Sequence, residues 1–138
     1  MPYEPAHIHV QSAVIPWRTK DGSRQVLLIT SRSGKRWVVP KGIVEPDLTP
    51  ADSAVKEAFE EAGIRGRVSK KSVGSYTYEK WGGICDVEVF VLKVNKELKD
   101  WPEADVRERC WFTPKEAAGL VAEKKLATMS RQVAKKKD

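Results

Sequence analysis

Cysteine is scarce in this chain. Cys85 and Cys110 are the only two in 138 residues, too few and too far apart for a disulfide framework or a metal knuckle. A reduced, cytoplasmic setting is the simplest expectation. Long apolar runs are missing as well. No stretch approaches the roughly 20 residues that a membrane-spanning helix needs, and the opening MPYEPAHIHV lacks the make-up of a signal peptide, so no membrane partner is expected. Histidine occurs only at positions 7 and 9. With no third ligand nearby in sequence, two ordinary surface histidines are expected, not a metal pair. Repeats, linkers and low-complexity segments are absent, apart from the basic end Lys135-Lys136-Lys137. Residues 1–138 therefore read as one domain, long enough to bury a proper core. Charge is abundant: 25 Lys and Arg against 19 Asp and Glu give a net +6 and a pI of about 9.4. That balance suits polyanionic ligands without choosing between phosphorylated small molecules and nucleic acid.

The rest of the chain is organised around 42–64, GIVEPDLTPADSAVKEAFEEAGI. Its second half has the start, body and stop of one helix. Thr49 is the expected N-cap, Pro50 suits the first helical position, Asp52 adds negative charge to the first turn, and Gly63 suits the left-handed residue that ends a helix. At about 3.6 residues per turn, Ala51, Val55, Ala58, Phe59 and Ala62 gather on one side. Glu57, Glu60 and Glu61 gather on another, with Lys56 placed to relieve part of their repulsion through Glu60. Three such carboxylates read either as a solvated acidic face or as a hard-cation site for an ion such as magnesium. The preceding Trp37-Val38-Val39-Pro40-Lys41-Gly42 favours the second reading. It predicts a strand, then a loop bringing backbone and an ammonium toward phosphate, then the acidic helix.

This stretch resembles the Nudix box, GX5EX7REUXEEXGU, where U is a bulky aliphatic residue. Gly42 takes the first Gly, Glu57, Glu60 and Glu61 the later acids, and Gly63-Ile64 the closing pair. Leu48 stands where the first Glu belongs, Lys56 where the Arg belongs, and Ala58 where the bulky aliphatic belongs. In the family that Glu and Arg support the loop and helix. Lys keeps the charge without the bidentate fork, and Asp47 or Glu45 would substitute through a small loop shift.

Along the rest of the chain, 8–17 reads as a first strand, 19–23 with Asp21-Gly22 as a hairpin turn and 25–30 as a buried strand. Residues 31–35 form a loop, with Arg32, Lys35 and Arg36 ahead of the box. After the helix, Arg65, Arg67, Lys70 and Lys71 form a basic run. Strands are expected over 73–78, 84–94 and 106–112. Trp81, on the Gly-rich turn 79–83, reads as packing against the sheet edge, with stacking on a flat ligand as the sharper alternative. Asp86 and Glu88 share a face with Phe90 and Leu92. Thr113 caps a helix starting at Pro114, and a last helix over 122–134 packs through Leu126, Met129 and Val133.

The resemblance to Nudix hydrolases covers most of the chain. Trp37-Val38-Val39-Pro40, Glu60-Glu61-Ala62-Gly63 and Leu98-Lys99-Asp100-Trp101 are most similar to the diphosphoinositol polyphosphate and diadenosine polyphosphate branch. It implies an α/β fold, an α/β/α sandwich around a mixed sheet. It implies a magnesium-dependent pyrophosphatase, with manganese as an alternative ion, cleaving a phosphoanhydride in a nucleoside polyphosphate, diadenosine polyphosphate or diphosphoinositol polyphosphate. Glu57, Glu60, Glu61 and the Gly42 or Lys41 backbone would hold metal, Glu57 or Glu61 would act as base, and Lys41, Lys56 and Arg36 would bind phosphate. Glu88 and then Glu79 are candidates for a further acid from outside the box. The working form would be a monomer or homodimer. Two rival readings stand beside it: a catalytically weak or inactive Nudix-fold module recognising nucleic acid, and an RNA 5′-end pyrophosphohydrolase.

Overall fold

A computed structural model describes residues 7–137; Met1 to Ala6, at the start where no signal peptide is expected, and Asp138 lie outside the described residues. A mixed sheet forms the middle layer. Its spine is β1 (His7–Lys20), which turns through Asp21 and Gly22, both at positive φ, into antiparallel β2 (Ser23–Thr30). Two adjacent positive-φ residues are what a tight hairpin of this twist requires, and Asp-Gly supplies them. On its other side β1 runs parallel to β7 (Gly83–Glu97) from His7–Gly83 to Trp17–Lys93. β3 (Trp37–Val38) and β8 (Arg109–Phe112) pair with β2, and β4 (Lys41–Ile43) pairs with β1. β5 (Ile64–Val68) and β6 (Gly74–Lys80) pair with β7.

Helices cover both faces, as the sandwich expectation requires. α1 (Pro50–Ala62) packs on Val14, Leu27, Ile29, Phe90 and Leu92. Its contact stripe is Ala54, Ala58 and Ala62, all fully buried, and side chains this small let the helix lie close to the sheet. α2 (Pro114–Leu120), capped by Thr113 and Glu116 in a capping box, and α3 (Lys124–Gln132) cover the opposite face with Leu126, Met129 and Val133. The central parts of β1, β2 and β7 are buried on both faces, which is why their sequences there are near-continuous apolar runs.

The structure departs from the sequence expectations at four places. Lys41 and Gly42 are not loop; they belong to β4. The strand expected over 106–112 begins only at Arg109, because Thr30 captures Arg107 and Glu108: Arg107 Nη1 donates to the Thr30 carbonyl at 2.9 Å, and the Glu108 amide to Thr30 Oγ1 at 2.9 Å. The last helix is shorter than 122–134 and ends in a 3-10 turn, Val133–Lys135. On α1 the buried stripe runs through Ala54 instead of Phe59, whose ring lies under the Arg65 guanidinium at 4.6 Å. Trp81 stays 58% exposed yet touches the sheet end through the His9 ring at 5.2 Å.

Both ends of α1 are anchored. Thr49 Oγ1 accepts from the Asp52 amide, and Gly63 ends the helix at φ 64°. Trp101 Nε1 donates to the Glu61 carbonyl, Arg109 Nη1 to the Ala62 carbonyl, and the Glu103 amide to the Glu60 carbonyl. The last turn has no basic residue of its own, so Arg109 complements the helix dipole from outside. A Cβ on Gly63 would meet the Trp101 ring at 2.6 Å. Gly63→Ala is therefore expected to cost about 1–3 kcal/mol, read as a lower midpoint in urea unfolding; an unchanged midpoint would show that this end of α1 relaxes freely.

Candidate active site

The site is assembled where α1 crosses β4. Strand alternation does the sorting. Gly42 faces α1, and a Cβ there would sit 2.4 Å from Glu57 Cδ; only glycine lets that carboxyl lie against the strand. One turn on, the Lys41 amide donates to Glu61 Oε1 at 3.2 Å. Glu57 and Glu61 thus converge, within hydrogen-bonding reach of each other. Burial raises both above the usual carboxylate range, and Glu61, which also feels Glu57, is pushed up to about 8 against the pull of Arg107. Glu60 does not join them. It lies at the rim with Lys56 Nζ at 3.4 Å.

The loop before the helix is held by groups the box pattern does not name. Lys56 Nζ meets Glu45 Oε1 at 2.5 Å, so Glu45 takes up the cation that Leu48 cannot. Buried Ser53 donates to the Ile43 carbonyl at 3.3 Å and accepts from the Glu45 amide at 3.1 Å. Lys56 is spent on this bracing and stays outside the acid pair. The Lys41 ammonium also turns away from the acids. It donates to Tyr78 Oη at 2.8 Å, which donates to Gln11 Oε1 at 2.8 Å, and its burial lowers its pKa.

On the side of β4 away from α1 opens a cleft of about 660 Å³. Arg32, Lys35, Arg36, Lys41, Lys80 and Arg107 supply its positive charge, and Glu61 reaches it from the acid side. Glu79 lies on its wall, while Glu88 lies in register with Ser12, the partner of Gly42, on the acid face. Arg107 was not legible in sequence. Its buried guanidinium ties Glu103 at 3.0 Å and stands 3.8 Å from Glu61. Only the fold brings it there, across 46 positions.

The donors fit a hard divalent cation. The buried Glu61 carboxyl and the partly buried Glu57 carboxyl face each other, and Ser12 Oγ, fully buried in the same row, has no hydrogen-bond partner among the described residues, as expected where a further oxygen shell belongs. Among the described residues no three His, Cys, Asp or Glu side chains form a ready-made cage. A hard divalent cation held by one or two carboxylates completes its shell with water and substrate phosphate. His7 and His9, with rings 4.4 Å apart, have no third ligand among the described residues.

Residues 8–135 match the NUDIX domain, and the chain belongs to the Nudix family. Among its relatives, Nudix hydrolase 12, mitochondrial, of Arabidopsis thaliana is 40% identical over 105 residues, 70% of this chain and 51% of that protein. Diphosphoinositol polyphosphate phosphohydrolase 3-beta of Bos taurus is 32% identical over 117 residues, 83% of this chain and 70% of that protein. The chain thus spans about half the length of the first of these relatives. The C. elegans Ap4A hydrolase binary complex superposes with a TM-score of 0.77 at 21% identity, covering 90% of this chain and 93% of that one, which shows a shared fold. No helix among the described residues is long and apolar enough to cross a membrane.

The raised carboxyl predicts a pH dependence. In the folded protein Glu61 holds its proton up to about 8, against 4.5 as the ordinary value. The folded state therefore binds more protons across that interval, and stability falls as pH climbs through it. In chelator the melting temperature should drop between pH 5 and about 8; Glu61→Gln should flatten that slope, and magnesium or manganese should restore stability at the upper end. A slope untouched by Glu61→Gln would place the titration elsewhere.

Proposed function

We propose that the chain is a divalent-cation-dependent hydrolase of a phosphoanhydride in a small polyphosphorylated substrate. The observation that carries this reading is the Glu57–Glu61 pair, Glu61 buried and Glu57 partly so, pressed on β4 and opening onto a cationic cleft. Magnesium, or manganese, would be held by Glu57 and Glu61 with the Gly42 or Lys41 backbone, and Glu60 at the rim would join through water. When bound, such an ion neutralises phosphate charge and lowers the pKa of water. The chain's own residues do the rest. Arg107, Arg36 and Lys80 grip phosphate oxygens from the cleft wall, and the Lys41 ammonium, held by Tyr78, adds a fixed charge. Glu61 accepts the proton of the attacking water at a carboxyl oxygen. Without an ion Glu61 keeps its proton up to about 8; beside the charge of a bound cation it would lose that proton and be free to act as base near neutral pH, with Glu57 and Glu88 as the alternative acids.

The named Bos taurus relative supports a diphosphoinositol polyphosphate as substrate, and the shape of the C. elegans neighbour is compatible with a dinucleoside polyphosphate. Cations spread over several elements suit a substrate bearing phosphates on more than one side, which favours the first. The Glu45–Lys56 pair weighs against an inactive binding module, since it re-forms the brace that Leu48 removes. Both cysteines are free thiols, one buried and one exposed, and we assign the protein to a reducing compartment, the cytoplasm.

Phosphate release with magnesium across diphosphoinositol polyphosphates, dinucleoside polyphosphates, nucleoside triphosphates and triphosphorylated RNA tests this. One class should be turned over, and Glu61→Gln should lower kcat by about 10²–10⁴-fold while its circular dichroism spectrum stays unchanged. Turnover of none, with either metal, would sink the hydrolase reading; turnover of triphosphorylated RNA alone would move the substrate to RNA ends.

A further inference from the structure

Tyr76 and Tyr78 share one face of β6, with stacked rings whose centroids are 6.2 Å apart. Both line the cleft. The Tyr78 hydroxyl is fully occupied, since it accepts from Lys41 and donates to Gln11. The Tyr76 hydroxyl is not. Tyr76 is only 3% exposed and belongs to the core cluster that holds Leu126 and Met129, yet its oxygen has no hydrogen-bond partner among the described residues. A buried phenol ordinarily finds one. Burial, and then the charge of Glu123, keeps the proton on this oxygen. It stands at the cleft as a donor with nothing to receive its proton.

A second group at the same end of the cleft is also unpartnered. Glu123 begins α3, but its carboxyl makes no capping bond. Among the described residues it enters no hydrogen bond and no ion pair. It lines the cleft half-buried, and its charge acts on Lys41, Tyr76 and Tyr78. α3 lies over β6, where a Cβ on Gly74 would meet Met129 Sδ at 2.9 Å. β6 sits beyond β7, and the loop 31–36 sits beyond β2, so the two are on opposite sides of β1. The cleft therefore has two ends of different chemistry. At the loop end Arg32, Lys35, Arg36 and Arg107 face Glu61 alone, which suits phosphate. At the β6 end Lys41 and Lys80 are matched by Glu79 and Glu123. There Tyr76 offers a donor and Glu123 an acceptor. A free hydroxyl, which accepts and donates, satisfies both at once. A phosphate on the same oxygen meets the carboxylate as a like charge.

We propose that Tyr76 and Glu123 form a subsite for an unphosphorylated hydroxyl of the substrate, and that they select polyphosphates carried on a ring with such a hydroxyl. The ribose of a nucleotide and a partly phosphorylated cyclitol both offer that group. The subsite rests on the reading that this cleft holds the substrate of a hydrolase. Tyr76 and Glu123 touch the substrate away from the acid pair, so they set affinity and orientation and take no part in moving the proton of the attacking water.

The test is isothermal titration calorimetry of the full chain in chelator, which reads binding without turnover. Two pairs of probes separate the sources. One is adenosine 5′-tetraphosphate against its 2′,3′-dideoxy form, which carries the same charge. The other is an inositol pentakisphosphate with one free hydroxyl against inositol hexakisphosphate. If ribose is the source, the hydroxyl-bearing nucleotide should bind about tenfold tighter or more, the loss expected for a hydrogen bond to a charged group. If a cyclitol is the source, the pentakisphosphate should bind no weaker than the more highly charged hexakisphosphate. Tyr76→Phe should weaken the preferred probe several-fold and leave its hydroxyl-free partner unchanged. It removes no hydrogen bond of the protein, so its melting temperature should hold. Glu123→Gln should narrow the preference by admitting the hydroxyl-free probe. Discrimination by a chain that hydrolyses nothing would keep the subsite and remove the hydrolase reading. A native chain that binds no probe, or favours the hydroxyl-bearing member of neither pair, would overturn the proposal. So would a preference that either variant leaves in place.

Discussion

Two carboxyls held together, Glu61 buried and Glu57 partly so, are the constraint on which this structure depends. Glu57 and Glu61 repel when both are ionised, and burial disfavours the charged form of each. Left to itself, the helix that carries them would roll outward and hydrate them. It cannot, because its Ala54, Ala58 and Ala62 face is locked on the sheet and both ends are tied down, by Ser53 and Thr49 at the start and by Trp101, Arg109 and the Glu103 amide at the finish. Strain of this kind belongs at a functional site, where a cation or a shared proton relieves it.

β4, three residues long, divides the chemistry. Its middle residue, Gly42, is the floor under Glu57. Its neighbour Lys41 offers its amide to Glu61 while its side chain passes to the opposite face, into the cleft with Tyr78. One short strand therefore sets the acid pair and the cationic cleft on its two sides, and Glu61 is the acid common to both. The period-two alternation of a strand makes this separation unavoidable. A loop at the same place, as the Pro-Lys-Gly sequence leads one to expect, would not enforce it.

The departures from the box pattern form a linked change. With Leu at 48 the loop loses one carboxylate, and with Lys at 56 the helix loses a fork. Glu45, three residues earlier, meets the single ammonium end-on at 2.5 Å. Lys offers a point charge on a flexible stem, which suits one carboxylate in one direction. Ser53 then secures the loop backbone with two hydrogen bonds, a duty invisible in a pattern of charged residues.

Much of this was legible in residues 42–64 and 113–116, because caps, helical spacing and the left-handed Gly63 are decided within a few residues of each other. The hairpin at Asp21-Gly22 and the apolar runs of β1, β2 and β7 are local in the same sense. Which acids meet is not. Glu60, at i+3 from Glu57, is as much a one-turn neighbour as Glu61 at i+4, yet only Glu57 and Glu61 face β4, since the depth and roll of α1 on the sheet follow from packing against strands far away in sequence. Arg107, Ser12 and the Lys41–Tyr78–Gln11 chain depend equally on register between distant segments. The sequence by itself determined the helix, its caps, the supply of carboxylates and the sign of the charge. Only the tertiary structure decided which carboxyls lose water and which cations line the cleft, because desolvation and charge proximity are properties of chains already folded together.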